Sequence, residues 1–258
     1  MNFCLSFAKL AENGLVGGIV MDEHMPPAAA AVRLKPAVGA LAAASAICAG
    51  MVAARIVYMQ VWTYYWLIVP NLLLAWIPLI ASILAVRTLG GGRRPGIATV
   101  IWGAVWLAFF PNAPYLSTDI IHLRYASTNG TLYYDLSFNM LAAVLGLALG
   151  FFSLHLLHAE VNRRGGQRAG ALFACAAIGL SSVGVYLGRV QRWNSWDLAV
   201  KPWQIVIDAA EIFRNADSLI FVAAFSLYHG TMYAVYYLLS SGKENGSPRK
   251  KTEQNDLQ

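Results

Sequence analysis

The chain has 258 residues, of which 58% are hydrophobic and only 12% charged. Soluble domains carry about twice that charge, so the composition excludes a disordered chain and argues against a soluble enzyme. The formal charge of +6 and the pI of about 9.3 would point to nucleic acid in a soluble protein, but here the charges must first be placed relative to a membrane.

Residues 1–35 read as a cytoplasmic N-terminal arm. Lys9, Glu12, Asp22 and Glu23 interrupt any apolar run, which does not suit a signal peptide. Met21 and Met25 are alternative starts. A helix that crosses a bilayer needs roughly 20 mostly apolar residues. Six runs meet this need, at 36–54, 66–86, 97–110, 136–157, 169–188 and 218–239, and none contains Asp, Glu, Lys or Arg. The third is short and extends through Pro111 to Tyr115. Between the last two runs, residues 203–215 place Gln204, Asp208, Glu211 and Asn215 on one helical face. Ile205, Val206, Ile207, Ala210 and Phe213 occupy the other. That stripe predicts a short helix lying on the outer surface. The expected fold is an all-α integral membrane protein of six transmembrane helices plus this interfacial helix. It has a membrane domain over 36–240 and a disordered tail over 241–258.

Basic residues set the orientation of such a chain. With both termini inside, 13 Lys and Arg fall on the inner side and 6 on the outer side. The inner side carries the whole net charge of +6, and the outer side balances at zero. This implies a multi-pass membrane protein with cytoplasmic N- and C-termini. Tyr58, Trp62, Tyr64, Tyr65 and Trp66, then Tyr115, Tyr125, Tyr133 and Tyr134, then Trp193, Trp196 and Trp203 form an aromatic collar on the outer side, at the level such residues favour.

Helices in lipid associate through small residues. Ala142, Gly146 and Gly150 follow at four-residue spacing, as do Gly184 and Gly188. These faces suit packing within the chain or against a second copy. Cys4, Cys48 and Cys175 form no CxxC pair, so neither a disulfide framework nor a zinc site is expected. No phosphate loop, GxSxG or HExxH is present.

Two outer loops concentrate the polar chemistry. One runs Phe110-Pro111-Asn112-Ala113-Pro114-Tyr115, then Thr118-Asp119-Ile120-Ile121-His122-Leu123, then Tyr133-Tyr134-Asp135. The other runs from Gly188 to Asp197 (GRVQRWNSWD). The order FPNAPY, TDxxHL, YD, GRxxRWNSWD resembles the bacterial multi-pass membrane family catalogued as domain of unknown function 1361, from the second span to the sixth. The resemblance implies a helical protein of the bacterial plasma (inner) membrane and supplies no activity.

Asn71, Asn112 and Asn139 fall in the outer thirds of their spans, which suggests a polar cup opening outward. Arg189 and Arg192 suit a salt bridge to Asp119, Asp135 or Asp197, a ligand anion, or lipid phosphate. Asp119 and His122 share one helical face. They suit two metal ligands, an acid–base pair, or a helix cap beside an interfacial His. Asp135 stands where the fourth span needs an N-cap. Asn194, Ser195 and Asp197 could hydrogen-bond a substrate, and Trp193 and Trp196 could stack on a sugar or frame a headgroup. They equally suit a tight turn with belt tryptophans. A serine hydrolase would need His122 to meet Ser195 across the loops. His229 lies mid-span with Tyr233 and Tyr236 on its face, either a functional group or a neutral His bonded to a tyrosine or carbonyl. His155 and His158 carry no haem motif. No metal or cofactor is expected.

The ligand-site candidates are therefore Asn112, Asp119, His122, Asp135, Arg189, Arg192, Asn194, Trp196 and Asp197, with Asn71, Asn139 and His229 as intramembrane polar residues. Binding or transport of a small polar or anionic ligand comes first. A structural or accessory subunit comes second, and an envelope enzyme acting on a lipid-linked substrate third. The expected partners are the bilayer, a small molecule or lipid headgroup, and a second copy of the chain, but no nucleic acid.

Overall fold

The computed structural model describes residues 27–60, 68–89, 95–125 and 130–241. Most of the expected arm (1–35) and nearly all of the tail (241–258) lie outside these residues, as do Trp62, Tyr64, Tyr65 and Trp66. Among the described residues every regular element is helical. This follows from the apolar composition, because a chain in lipid must satisfy its backbone groups internally.

The long elements are α1 (Pro27–Met59), α2 (Ile68–Thr88) and α3 (Ile97–Phe109). The chain then turns through the short α4 (Asn112–Tyr115) into a 3₁₀ helix, Leu116–Tyr125. α5 (Leu132–Arg189) follows, then α6 (Asp197–Val200), α7 (Pro202–Ile212) and α8 (Ala216–Ser241). Residues 27–35, expected in the arm, are already helical and continue α1.

Five of these stretches are long and apolar enough to cross a membrane: Pro36–Met59, Ile68–Thr88, Ile97–Leu123, Leu132–Arg189 and Ala216–Ser240. The chain is therefore a multi-pass, all-α membrane protein. α5 differs from the others. Its 58 residues would extend about 87 Å if straight, nearly three times the ~30 Å hydrocarbon core. It is not straight. Gly166 breaks it with φ 80° and ψ 168°, a conformation open to glycine and costly for other residues. The chain then doubles back. A Cβ on Gly170 would collide with the Asn162 side chain and lie 2.8 Å from His158. Side chains from well before the break contact Gly170 because the two arms of α5 run side by side. The two expected runs, 136–157 and 169–188, are these arms. Glu160 fastens the turn by accepting from Arg163 (2.9 and 2.7 Å) and Arg164. Arg164 Nη2 also donates to the Leu89 carbonyl at 3.2 Å, which joins this turn to the end of α2.

The first arm of α5 forms the centre of the bundle. In the most apolar window of α5, 72% of residues are buried, against 11% for α1 and 22% for α8. Leu145, Leu149, Phe152 and Leu156 pack on Cys48 and Val52 of α1 and on Leu72, Ala75 and Leu79 of α2. Phe151 and Leu154 face Trp106, Ala174, Ile178 and Tyr233. The outer helices present Ile47, Leu73, Ile80, Val100, Leu172, Leu227 and Leu238 outward, as lipid-facing surfaces require.

The small-residue faces pack within the chain, as one of the two readings expects. They seat the FPNAPY segment, part of the apolar stretch Ile97–Leu123, between the two arms of α5. A Cβ on Gly146 would strike the Ala113 carbonyl and sit 2.9 Å from Leu116, and one on Gly150 would lie 3.1 Å from Ala113 Cβ. From the second arm, a Cβ on Gly184 would meet Pro111 at 2.5 Å, and one on Gly188 would meet Tyr115 at 3.4 Å. Phe110, Ala113 and Leu116 are fully buried as a result.

Gly146→Ala and Gly184→Ala should therefore each cost about 1–3 kcal/mol, the range for overfilling a packed site, and lower the thermal unfolding midpoint in detergent. A Cβ on Gly103 would meet nothing within 4 Å, so Gly103→Ala should leave the midpoint unchanged or raise it. Equal midpoints for all three variants would show that the close approach does not exist.

Candidate functional site

The two motif loops converge at one end of the bundle. Asn112 Nδ2 donates to Ser195 Oγ at 2.8 Å and to the Phe109 carbonyl at 3.0 Å. Asn112 is delivered by the turn seated on Gly146 and Gly184, and Ser195 by the loop that leaves α5. Their contact joins segments 83 residues apart in sequence.

Arg189 closes the second link. Its Nε donates to Thr118 Oγ1 at 2.8 Å, its Nη2 pairs with Asp119, and its Nη1 donates to His122 Nε2 at 3.1 Å. The guanidinium carbon lies 4.1 Å from the Tyr115 ring centroid. Such a cation–π contact contributes about 0.5–2 kcal/mol, more when desolvated. Asn71 Nδ2 makes a long 3.5 Å contact to the other Asp119 oxygen. Asp119 is 3% exposed, so its charge depends on this arginine. A buried pair that loses one partner typically costs about 3–5 kcal/mol. Of the readings open for Arg189, the structure forms the lock to Asp119.

This lock also engages His122. Because arginine only donates, His122 Nε2 is the acceptor in their contact. The guanidinium thus bridges the carboxylate and the imidazole, whose Asp119 Oδ1 and His122 Nε2 lie 3.8 Å apart. Among the described residues no three His, Cys, Asp or Glu side chains group as metal ligands do. Asp119 does not cap a helix either; it lies inside the 3₁₀ segment. Nor does His122 meet Ser195, whose hydroxyl contacts Asn112 instead.

Asp135 also departs from the cap reading. α5 begins at Leu132 with Thr131 as its N-cap, which puts Asp135 past the capping position. Its carboxylate accepts from Arg55 Nε at 2.6 Å and Arg55 Nη2 at 3.0 Å, and from Thr131 Oγ1 at 3.0 Å. Arg55 Nη2 also reaches Thr131 at 2.8 Å. Arg55 and Asp135 are 2% and 0% exposed, which makes this pair the most deeply buried ion pair among the described residues. Asn139 stands one turn further along α5 and donates to the Asp135 carbonyl at 2.7 Å. Together they clamp α1 to α5, away from the loop contacts. Arg55 is the structural residue that sequence reasoning does not single out. Its signal is an arginine close to the end of an apolar run with no acidic neighbour on its own helix.

The third motif folds on itself. Asp197 Oδ2 accepts from the Asn194 backbone N–H (2.8 Å) and side chain (3.2 Å), which makes the tight turn. Trp193 Nε1 donates to Asp208 Oδ2 at 2.8 Å, and Gln204 donates to Asp208 Oδ1 at 3.0 Å. These bonds hold α7 against the loop. Ile212 of α7 is buried with Leu187 and Val222, while Trp203, Val206 and Phe213 stay exposed. That exposed apolar edge suits the interface position expected for this helix.

Between these segments lies a cavity of about 550 Å³, within the usual range for small-molecule sites. Its polar lining comes from Asn71, Asn112, Tyr115, Arg192, Asn194 and Ser195, and from Gly184 and Gly188. Leu74, Leu107, Leu180, Val183, Leu187, Leu198 and Ile205 supply apolar wall, with Trp193 and Trp196 at the loop side. Five of the expected site residues thus line one space: Asn71, Asn112, Arg192, Asn194 and Trp196. Arg189, Asp119 and His122 stand behind it as a lock, and Asp197 shapes its loop. Asp135 and Asn139 belong to the α1 clamp.

Arg192 is different from the other two arginines. It lines the cavity and forms no ion pair among the described residues. Its φ is +67°, the left-handed region that disfavours a side chain other than glycine. This turn folds the loop back so that the Trp193 N–H donates to the Leu187 carbonyl at 3.1 Å.

His229 lies outside the cavity. It is fully buried beside Phe110 (5.9 Å), Phe151 (5.4 Å) and Phe225 (6.3 Å). Of the two tyrosines expected beside it, Tyr233 Oη lies 2.8 Å from His158 Nδ1, and Tyr236 Oη has no hydrogen-bond partner among the described residues. Neither ring nitrogen of His229 has a hydrogen-bond partner among the described residues.

No curated protein and no solved structure matches the chain. The family model described as "Protein of unknown function (DUF1361)" matches residues 70–232. That span runs from α2 through both motif loops to the middle of α8, covering most of the residues that build the cavity and its locks. The chain belongs to the DUF1361 family.

Proposed function

We propose that the motif end of this protein binds a small anionic ligand in the 550 Å³ cavity, with Arg192 as its cationic contact. One observation carries this reading. The cavity is lined by an arginine with no carboxylate partner among the described residues, whereas Arg55 and Arg189 nearby are each paired to an aspartate. A guanidinium offers five donors in a planar fork suited to carboxylate and phosphate. Asn112, Asn194 and Ser195 add polar groups on the same lining.

The reading also assigns a place in the membrane. Six crossings, counting both arms of α5, with both termini cytoplasmic put the motif end outside. The division of basic residues, 13 against 6, supports this. Thiol labelling tests it. In a chain whose native cysteines are replaced, Lys201→Cys should react with an impermeant reagent added to intact cells. Gln167→Cys should react only after permeabilisation. The opposite pattern would invert the orientation and put the cavity on the cytoplasmic side.

The ligand reading is tested by Arg192→Gly. Glycine suits the positive φ, so the folded protein should keep or slightly gain stability, by up to about 1 kcal/mol. Binding of glycerol phosphate to the purified protein, measured by calorimetry, should fall at least about tenfold, the loss of one charged hydrogen bond. Arg189→Ala should instead reduce the amount of folded protein, because it strands Asp119. Unchanged glycerol phosphate affinity in Arg192→Gly would remove Arg192 from the site.

A further inference from the structure

The cavity does not open only towards the loops. Leu107 of α3 and Leu180 of the second α5 arm both line it, and both are also exposed, at 42% and 55%. A residue that lines a cavity while facing outward stands on its rim. Both belong to stretches long and apolar enough to cross a membrane. Leu180 lies eight residues before Gly188, about 12 Å along the helix axis, inside a stretch apolar enough to cross a membrane. Deeper still, the gap between these helices closes where Trp106 stacks on Phe173, with ring centroids 5.7 Å apart. The opening is therefore a side window bounded below by two aromatic rings and above by the polar loop.

The lining is sorted to match. The cation and amides lie at the loop end, while Leu107, Val183 and Leu180 line the window side. A fully water-soluble anion would have no use for the apolar part. Resting on the reading of an anionic site at Arg192, we propose that the ligand is a phosphate-bearing lipid. It enters sideways from the bilayer, with its headgroup at Arg192 and its chain leaving between Leu107 and Leu180. Each chain carbon buried against this wall adds to affinity, because apolar surface leaves water on binding.

The full chain, purified in a non-ionic detergent, is titrated with short-chain phosphatidate and separately with glycerol phosphate. Phosphatidate should bind at least about tenfold more tightly. The window is then blocked after folding: Leu180→Cys, in a chain whose native Cys4, Cys48 and Cys175 are replaced, is loaded with a bulky maleimide. Leu107→Trp is the second block, with its unfolding midpoint checked. Either block should weaken phosphatidate binding about tenfold, a larger loss than it causes for glycerol phosphate. Arg192→Gly should weaken both. Equal affinities for the two probes, or phosphatidate binding indifferent to both blocks, would overturn the lipid proposal and leave the anionic site standing. Failure of both probes to bind, or phosphatidate binding that ignores Arg192→Gly, would overturn the anionic site itself.

Discussion

The structure depends on the absence of side chains at three positions. Gly146 and Gly150 on one arm of α5, and Gly184 on the other, let the chain from Phe110 to Leu116 lie between the arms. Without a hydrophobic driving force between helices in lipid, close packing is what holds segments together. That segment keeps right-handed helical backbone from Phe110 through Leu116, and it is both buried in protein and lining a cavity. Phe110, Ala113 and Leu116 face the core, while Pro111, Asn112 and Tyr115 face the cavity. The glycines thus position the first motif, and the first motif positions the polar groups.

The charges at this end divide into two kinds. Arg55 and Arg189 each neutralise an aspartate that is almost fully buried. Such pairs gain little over a well-packed apolar core, but losing one partner is expensive. They fix geometry: one joins α1 to α5, and the other joins the end of α5 to the 3₁₀ segment. Arg192 fixes nothing of this kind among the described residues. It lines the cavity, and its backbone adopts the left-handed region. The fold therefore holds a rigid frame, made by paired charges, beside the cavity that Arg192 lines.

Much of this is legible in the sequence. Apolar runs interrupted by basic turns mark the helices, and alternation of those runs puts both motif loops on one side. The four-residue glycine spacing marks a close approach. What receives the glycines is not legible, because small residues announce room but not its occupant. The pairing of arginine with aspartate is legible as a type and not as a match. Several arginines and aspartates near one membrane face allow many pairings, and only the three-dimensional arrangement selects Arg55 with Asp135 and Arg189 with Asp119. Asp135 near a helix start resembles a cap, yet a shift of a few residues in the boundary turns it into the buried anchor of another helix. The window at Leu107 and Leu180 leaves no sequence signal, since a leucine facing lipid and a leucine lining a cavity are the same letter.

The central claim is that the FPNAPY and RWNSWD segments meet over the glycine seat. It is tested most directly by disulfide trapping. In a chain lacking its native cysteines, Asn112→Cys and Ser195→Cys are combined, because these side chains touch at 2.8 Å. Mild oxidation in native membranes should convert the pair to an intramolecular disulfide in the monomer. Free thiols under the same conditions, or links only between chains, would contradict the convergence from which the cavity is built.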